Sequence, residues 1–174
     1  MLRPFLNHQP NCHSTCFIDP TALIIGQCTI GASSSIWPYA VLRGDVQAIQ
    51  VGHHTNIQDG TVIHCASAAL SPPAGIPCII GNHVTVGHKV TLHACTIKDH
   101  CLIGMDSVVM DGSIIEENII LGAKSLVPQG MVLRSGYLYL GSPAKAIRPL
   151  TDAEVEYIHL SATHYLELAQ ASYT

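Results

Sequence analysis

The chain has 174 residues, of which 48% are hydrophobic, 11% charged and only 5% aromatic, with a net charge of -4. That length suits one domain with a sizeable core rather than two. No run of 18 apolar residues predicts a membrane span, no Lys/Arg cluster offers a surface for nucleic acid or membrane, and the opening MLRPFLNHQPN lacks an apolar signal core, so a cytoplasmic protein is expected.

Residues 1–17 carry no periodic pattern and are expected to form an irregular cap. From residue 18 an aliphatic residue recurs every six positions. The first run is Ile18, Ile24, Ile30, Ile36 and Leu42, followed by Val51, Ile57 and Ile63 and then by Ile80, Val86 and Leu92. After a one-residue deletion it resumes as Ile97, Ile103, Val109, Ile115, Leu121 and Val127. Gly31, Gly52, Gly81, Gly87, Gly104 and Gly122 each follow an aliphatic residue, and a small or β-branched residue stands four places after it. A period of six belongs to neither a helix nor an alternating strand. It fits an all-β solenoid of hexapeptide repeats, three short strands to a coil, over residues 18–132. The stretch 65–79 interrupts the repeat and reads as a protruding loop.

Residues 133–150, with Gly136, Gly141, Ser142 and Pro143, read as a turn segment. Thr151-Asp152-Ala153-Glu154 has the form of a helix capping box, and Val155, Ile158, Ala162, Tyr165 and Ala169 give the helix 151–171 one apolar face. That face is expected to pack on the solenoid or across a subunit boundary. The seven cysteines contain no CxxC spacing and are expected as free thiols. Cys65 and Cys78, at the two ends of one loop, are the pair best placed to bond, and a reducing compartment disfavours it.

Eleven histidines are present. His8 and His13 in the N-terminal arm, His159 and His164 on the helix, and His53, His54, His83 and His100 near turns are expected as solvated surface residues. His64, His88 and His93 fall on the repeat. With Val51, Ile57 and Ile63 marking faces A, B and C of one coil, Ile80, Val86 and Leu92 mark the same faces of the next. His64 and His93 then share one slot on face C, a coil apart, at the ~4.8 Å spacing of neighbouring strands. Two imidazoles so placed can converge on one metal ion, with Zn–N bonds of ~2.0–2.1 Å. His88 lies on face B, five residues from His93 and ~16 Å away along an extended strand. A threefold trimer would bring face B of one subunit to face C of the next and complete a three-histidine site with one open position.

The motifs Arg43-Gly44-Asp45, Asn56-Ile57-Gln58-Asp59, His64, Gly87-His88 and Leu92-His93 resemble those of the gamma-class carbonic anhydrases and their bacterial homologues over about residues 10–150. The segment 136–143, GYLYLGSP, resembles the bacterial branch in particular. The resemblance implies a left-handed parallel β-helix and a homotrimer whose metal is held by His64 and His93 of one subunit and His88 of its neighbour. Zinc is implied, with iron or cobalt as alternatives, together with hydration of carbon dioxide to bicarbonate by a metal-bound hydroxide. Carbonic anhydrase is itself the reference case for the chemistry of such a metal-bound water, whose pKa there is ~7. The same resemblance implies that Gln58 orients the hydroxide, that Asn56 plays a supporting role and that Tyr139 contacts the site. Arg43 occupies the face-C slot of His64 one coil earlier, and pairing among Arg43, Asp45 and Asp59 would hold subunits in register.

Two departures stand out. Val46 follows Asp45 where active members carry a proton-exporting glutamate, and the loop from Cys65 to Ile79 contains no charged residue. A missing shuttle limits regeneration of the hydroxide unless His83 or a buffer molecule substitutes. Two other functions fit the same repeat: an acyltransferase or thioesterase acting on a coenzyme A derivative, and a metal-binding trimer without catalysis.

Overall fold

The computed structural model describes residues 1–71 and 73–172. They form a left-handed parallel β-helix with one C-terminal helix. Face B is built from Phe17–Ile18, Ser35–Ile36, Asn56–Ile57, Thr85–Val86, Cys101–Ile103, Ile119–Leu121 and Tyr137–Leu140, all parallel and in register. Register makes the inward residues stack coil upon coil: Ile18, Ile36, Ile57, Val86, Ile103 and Leu121 form one column. The hexad period is thus the length of one face, and the core is a set of aliphatic ladders with almost no exposed area. The small residue of most hexads is buried just before the next strand, Val46 being exposed. Several of these carry a hydroxyl that donates to the following coil: Ser34 to the Gly52 carbonyl at 2.7 Å, Thr55 to Gly81 at 2.8 Å and Thr61 to Gly87 at 3.0 Å.

Both ends of the solenoid are more regular than residues 1–17 and 133–150 suggest. Leu2–Arg3 and Asn11–Cys12 run parallel to Leu23–Ile30, so the first coil is paired rather than covered by irregular chain. At the other end Tyr137–Leu140 adds a further face-B strand, and Lys145–Pro149 pairs antiparallel with it. An unpaired parallel edge exposes backbone donors and acceptors, and these strands occupy them.

The helix spans Asp152–Ala171 and starts with the expected capping box between Thr151 and Glu154. Arg148 grips the same carboxylate with both guanidinium nitrogens, at 2.7 Å each. Ile158, Ala162 and Ala169 are buried, and Tyr165 packs edge-on against Trp37, with ring centroids 5.4 Å apart. The helix lies along face B of its own chain. No helix among the described residues is long and apolar enough to cross a membrane.

Candidate metal centre

Parallel pairing of Val62–His64 with Thr91–His93 sets His64 directly beside His93. Their nitrogens, Nδ1 of His64 and Nε2 of His93, approach to 3.2 Å. Each ring is turned by a carboxylate on its other side. His64 Nε2 donates to Asp45 Oδ1 at 2.9 Å, and His93 Nδ1 donates to Asp111 Oδ1 at 2.6 Å. With those nitrogens protonated, two neutral imidazoles face each other with lone pairs only, which a proton or a metal ion between them relieves. A separation of 3.2 Å is close to the ~3.3 Å edge of a tetrahedron with Zn–N bonds of ~2.0–2.1 Å. The donor set therefore fits a divalent metal.

His88 follows the same rule on another corner. Its Nδ1 donates to Asp59 Oδ2 at 2.9 Å, leaving Nε2 for a ligand. It does not join the other two within the chain: among the described residues no group of three or more His, Cys, Asp or Glu side chains is disposed to hold a metal. The chain thus carries a two-nitrogen half-site on the corner after face C and a single oriented imidazole on the corner after face B.

Arg43 Nη1 donates to Asp45 Oδ2 at 2.6 Å within the same chain. Burial pushes the Asp45 carboxyl up, but the hydrogen bonds from Arg43 and His64 outweigh it and hold the group below its usual range. A cleft of about 440 Å³ opens on the His64–His93 pair, walled by Val46, Leu70 and Gln129. The loop is closed on itself by the pairing of Ala66 with Ile76 and tied back to the solenoid by a 2.8 Å bond from Gln47 Nε2 to the Ala74 carbonyl.

Gln58 and His88 line a second cleft, of about 350 Å³, between face B and the helix. Its outer wall is Tyr157, Ser161 and Tyr165. Burial, with Asp59 nearby, pushes the Tyr165 hydroxyl up, so it stays neutral. Asn56 is buried beside Gln58 and accepts a 3.1 Å hydrogen bond from it.

Tyr139 differs from the expectation of a site contact. It continues the inward column after Leu121 and is 5% exposed, and its hydroxyl is held by the Arg134 backbone, accepting from N–H at 2.8 Å and donating to the carbonyl at 3.2 Å. It closes the end of the core. The turn histidines also differ from solvated side chains: His54, His83 and His100 stack face to face at 4.9 and 5.0 Å, and His159 of the helix meets His100 edge-on at 4.7 Å. His83 stands on the corner before face B, which does not suit it as a proton carrier for the His64–His93 cleft. None of the seven cysteines, all among the described residues, forms a disulfide. Burial pushes Cys28, Cys65 and Cys101 up to about 12, which leaves them poor nucleophiles.

Three polar residues of the site carry no signal in the sequence. Asp111 lies in an ordinary turn, and only the coil register puts it beside His93, 18 residues away. Thr85 and Ser161 meet across 76 residues, a contact visible only once the helix is docked.

The chain is 46% identical over 167 residues to protein YrdA of Escherichia coli, covering 96% of this chain and 91% of that one. It is also 46% identical over 154 residues to mitochondrial gamma carbonic anhydrase 2 of Arabidopsis thaliana, covering 88% of this chain but 55% of the plant protein, so it spans about half the length of that relative. Among solved structures, a hexapeptide transferase family protein from Anaplasma phagocytophilum superposes with a TM-score of 0.90 at 42% identity, covering 98% of this chain and 96% of that one. No protein-family model matches the chain.

Proposed function

Because this chain belongs to the gamma-class carbonic anhydrase-like family of hexapeptide-repeat proteins, we propose that it is a metal-dependent enzyme that hydrates carbon dioxide reversibly to bicarbonate. Its centre is completed between subunits of a homotrimer, His64 and His93 coming from one chain and His88 from the next. Zinc suits the nitrogen donors best, with iron or cobalt as alternatives. A metal held there supplies Lewis acidity that makes a bound water acidic near neutral pH.

The observation that carries this reading is the carboxylate behind each imidazole. Asp45, Asp59 and Asp111 each take the proton-bearing nitrogen of one histidine, so each ring offers its other nitrogen as a lone pair. That fixes tautomer and direction before any metal arrives. Gln58, with Asn56 behind it, presents an amide beside His88 to orient the attacking group. Arg43 reaches out from Asp45 with a half-exposed guanidinium and suits a contact with the neighbouring subunit, as does Asp59. No carboxylate stands in the 65–79 loop to receive the released proton, so buffer takes it and the rate rises with buffer concentration.

Stopped-flow carbon dioxide hydration on zinc-loaded and anaerobically iron-loaded protein tests the proposal, with His88→Ala alongside. Activity that requires metal and disappears in His88→Ala is expected. A fully metallated trimer with no hydration would overturn it in favour of a metal-binding assembly without this chemistry. The acyl-transfer alternative predicts turnover of a coenzyme A thioester that survives metal removal, since it needs a general base rather than a set of three histidines.

A further inference from the structure

A row of buried polar side chains runs across face B beneath the helix. Gln58, Asn56 and Thr85 are 4, 2 and 4% exposed. Gln58 Nε2 donates to Asn56 Oδ1 at 3.1 Å, and Asn56 Nδ2 donates to Thr85 Oγ1 at 3.0 Å. Thr85 Oγ1 in turn lies 3.1 Å from Ser161 Oγ on the helix.

Such a row has a direction. A primary amide is a donor at one end and an acceptor at the other, so whichever end of Gln58 meets Asn56, the opposite end faces the cleft that Gln58 shares with His88. Two directions satisfy the same heavy atoms. In one, Thr85 accepts from Asn56, Asn56 accepts from Gln58, and Gln58 shows its carbonyl oxygen to the cleft. In the other, Thr85 donates its proton to the Asn56 oxygen, both amides reverse, and Gln58 shows an N–H. The choice turns on one proton, because a threonine hydroxyl has only one to give. Ser161 Oγ stands on its far side, where either hydroxyl can donate: accepting there draws the Thr85 proton away from Asn56, and donating there would leave it to Asn56.

We infer that Ser161 is a positioning residue: by accepting the Thr85 hydroxyl proton it sets the direction of the row and makes Gln58 present Oε1, an acceptor, beside His88. The helix thereby acts on the centre without touching it. The consequence for turnover rests on the carbonic anhydrase reading. The direction of the row does not, because it belongs to the metal-free chain.

The test uses the full chain and two readouts. In metal-free, ¹⁵N-labelled protein the Gln58 side-chain amide protons, donated to Asn56, should exchange slowly with solvent. In Ser161→Ala the Thr85 proton turns to Asn56, the row reverses, and Gln58 exchange should accelerate ~10-fold or more as one buried hydrogen bond is lost to it. Ser161→Thr, which restores a hydroxyl, should restore slow exchange. Thr85→Val, which keeps the side-chain shape, should also release the row, so the result does not hang on one variant. In zinc-loaded enzyme Ser161→Ala should lower kcat ~10-fold with KM and metal content unchanged, and Ser161→Thr should recover it. Unchanged Gln58 exchange in both Ser161→Ala and Thr85→Val would overturn the inference whatever the activities. Reversal of the row in a protein that hydrates no carbon dioxide would leave the inference standing and remove the proposed function instead.

Discussion

Two corners of the solenoid carry histidines one coil apart, and they end in different arrangements. On the corner after face C, His64 and His93 are tilted by 53° and bring two nitrogens to 3.2 Å. On the corner before face B, His54, His83 and His100 lie nearly parallel, at 14 and 12°, with rings stacked and no nitrogens converging. The repeat treats both sets alike, because it delivers one side chain per coil at the strand spacing. The carboxylates differ. Asp45 and Asp111 flank the first pair and rotate each ring toward the other. On the second corner Asp99 is spent on Asn82, accepting from its backbone and side-chain nitrogens, and His100 Nδ1 is buried without a partner among the described residues. A ladder of histidines is thus a by-product of the solenoid, and carboxylates at the right offset turn a ladder into a donor set.

The largest effect should come from splitting the proposed site between chains. His64→Ala and His88→Ala should each bind no metal at the centre. Trimers co-expressed from equal amounts of the two should regain ~one quarter of the wild-type metal, because a site forms wherever an intact His64–His93 pair meets an intact His88. Metal analysis showing no recovery in mixed trimers would place the site within one chain or nowhere.

Next come the carboxylates. Asp111→Asn leaves His93 in place but replaces its charged hydrogen-bond acceptor with a neutral amide, and metal affinity should fall ~10–100-fold by competition titration. Asp99→Asn, the same change on the other corner, should leave that affinity alone. Equal losses in the two variants would mean that the corners do not differ in the way described.

A smaller effect tests the stack. Burial, then the neighbouring imidazoles of His100 and His54, hold His83 below the usual histidine range, Asp99 opposing them, with His159 the other ionisable group facing it. The unfolded chain therefore takes up this proton at higher pH than the folded one, and stability falls as pH drops below ~6.5. Urea midpoints at pH 7 and pH 5 should differ less in His83→Asn, which also tolerates the positive φ of 53° at this turn. An undiminished pH dependence would show that the stack does not sense protons.

The smallest effect lies at the helix start. Hydrogen bonds from Arg148 and Thr151 hold the Glu154 carboxyl down to about 2. Its contribution is present above the ordinary carboxylate range and disappears as pH falls toward 2. Glu154→Gln should slightly lower helix docking at pH 7, read as quenching of Trp37 by Tyr165, and should remove the acid-side change of that signal.

Much of this was legible in the amino-acid order. The six-residue period specifies coil, inward column and face, because each hexad makes its own strand and corner from local chemistry. Phase alone puts His64 beside His93 and sets His88 on another face. The ends of the solenoid were less legible: Leu133 and Tyr139 extend the six-residue period past Val127 and align with Ile115 and Leu121, but their flanking turn residues mask it, and residues 1–17 become strands by pairing with an existing edge. Tyr139 shows the converse, since its place in a motif suggested the site while its register with Leu121 puts it in the core.

What the tertiary structure alone decided is direction. Asp45 reaches His64 across 19 residues, Asp111 reaches His93 across 18, Asp59 reaches His88 across 29, and Ser161 meets Thr85 across 76. A side chain's position in a solenoid follows from a repeat that acts over a few residues. The way an imidazole or an amide turns depends on which donor or acceptor lies beside it in the next coil or on the helix, and sequence spacing carries no information about that until the coils are stacked and the helix is down.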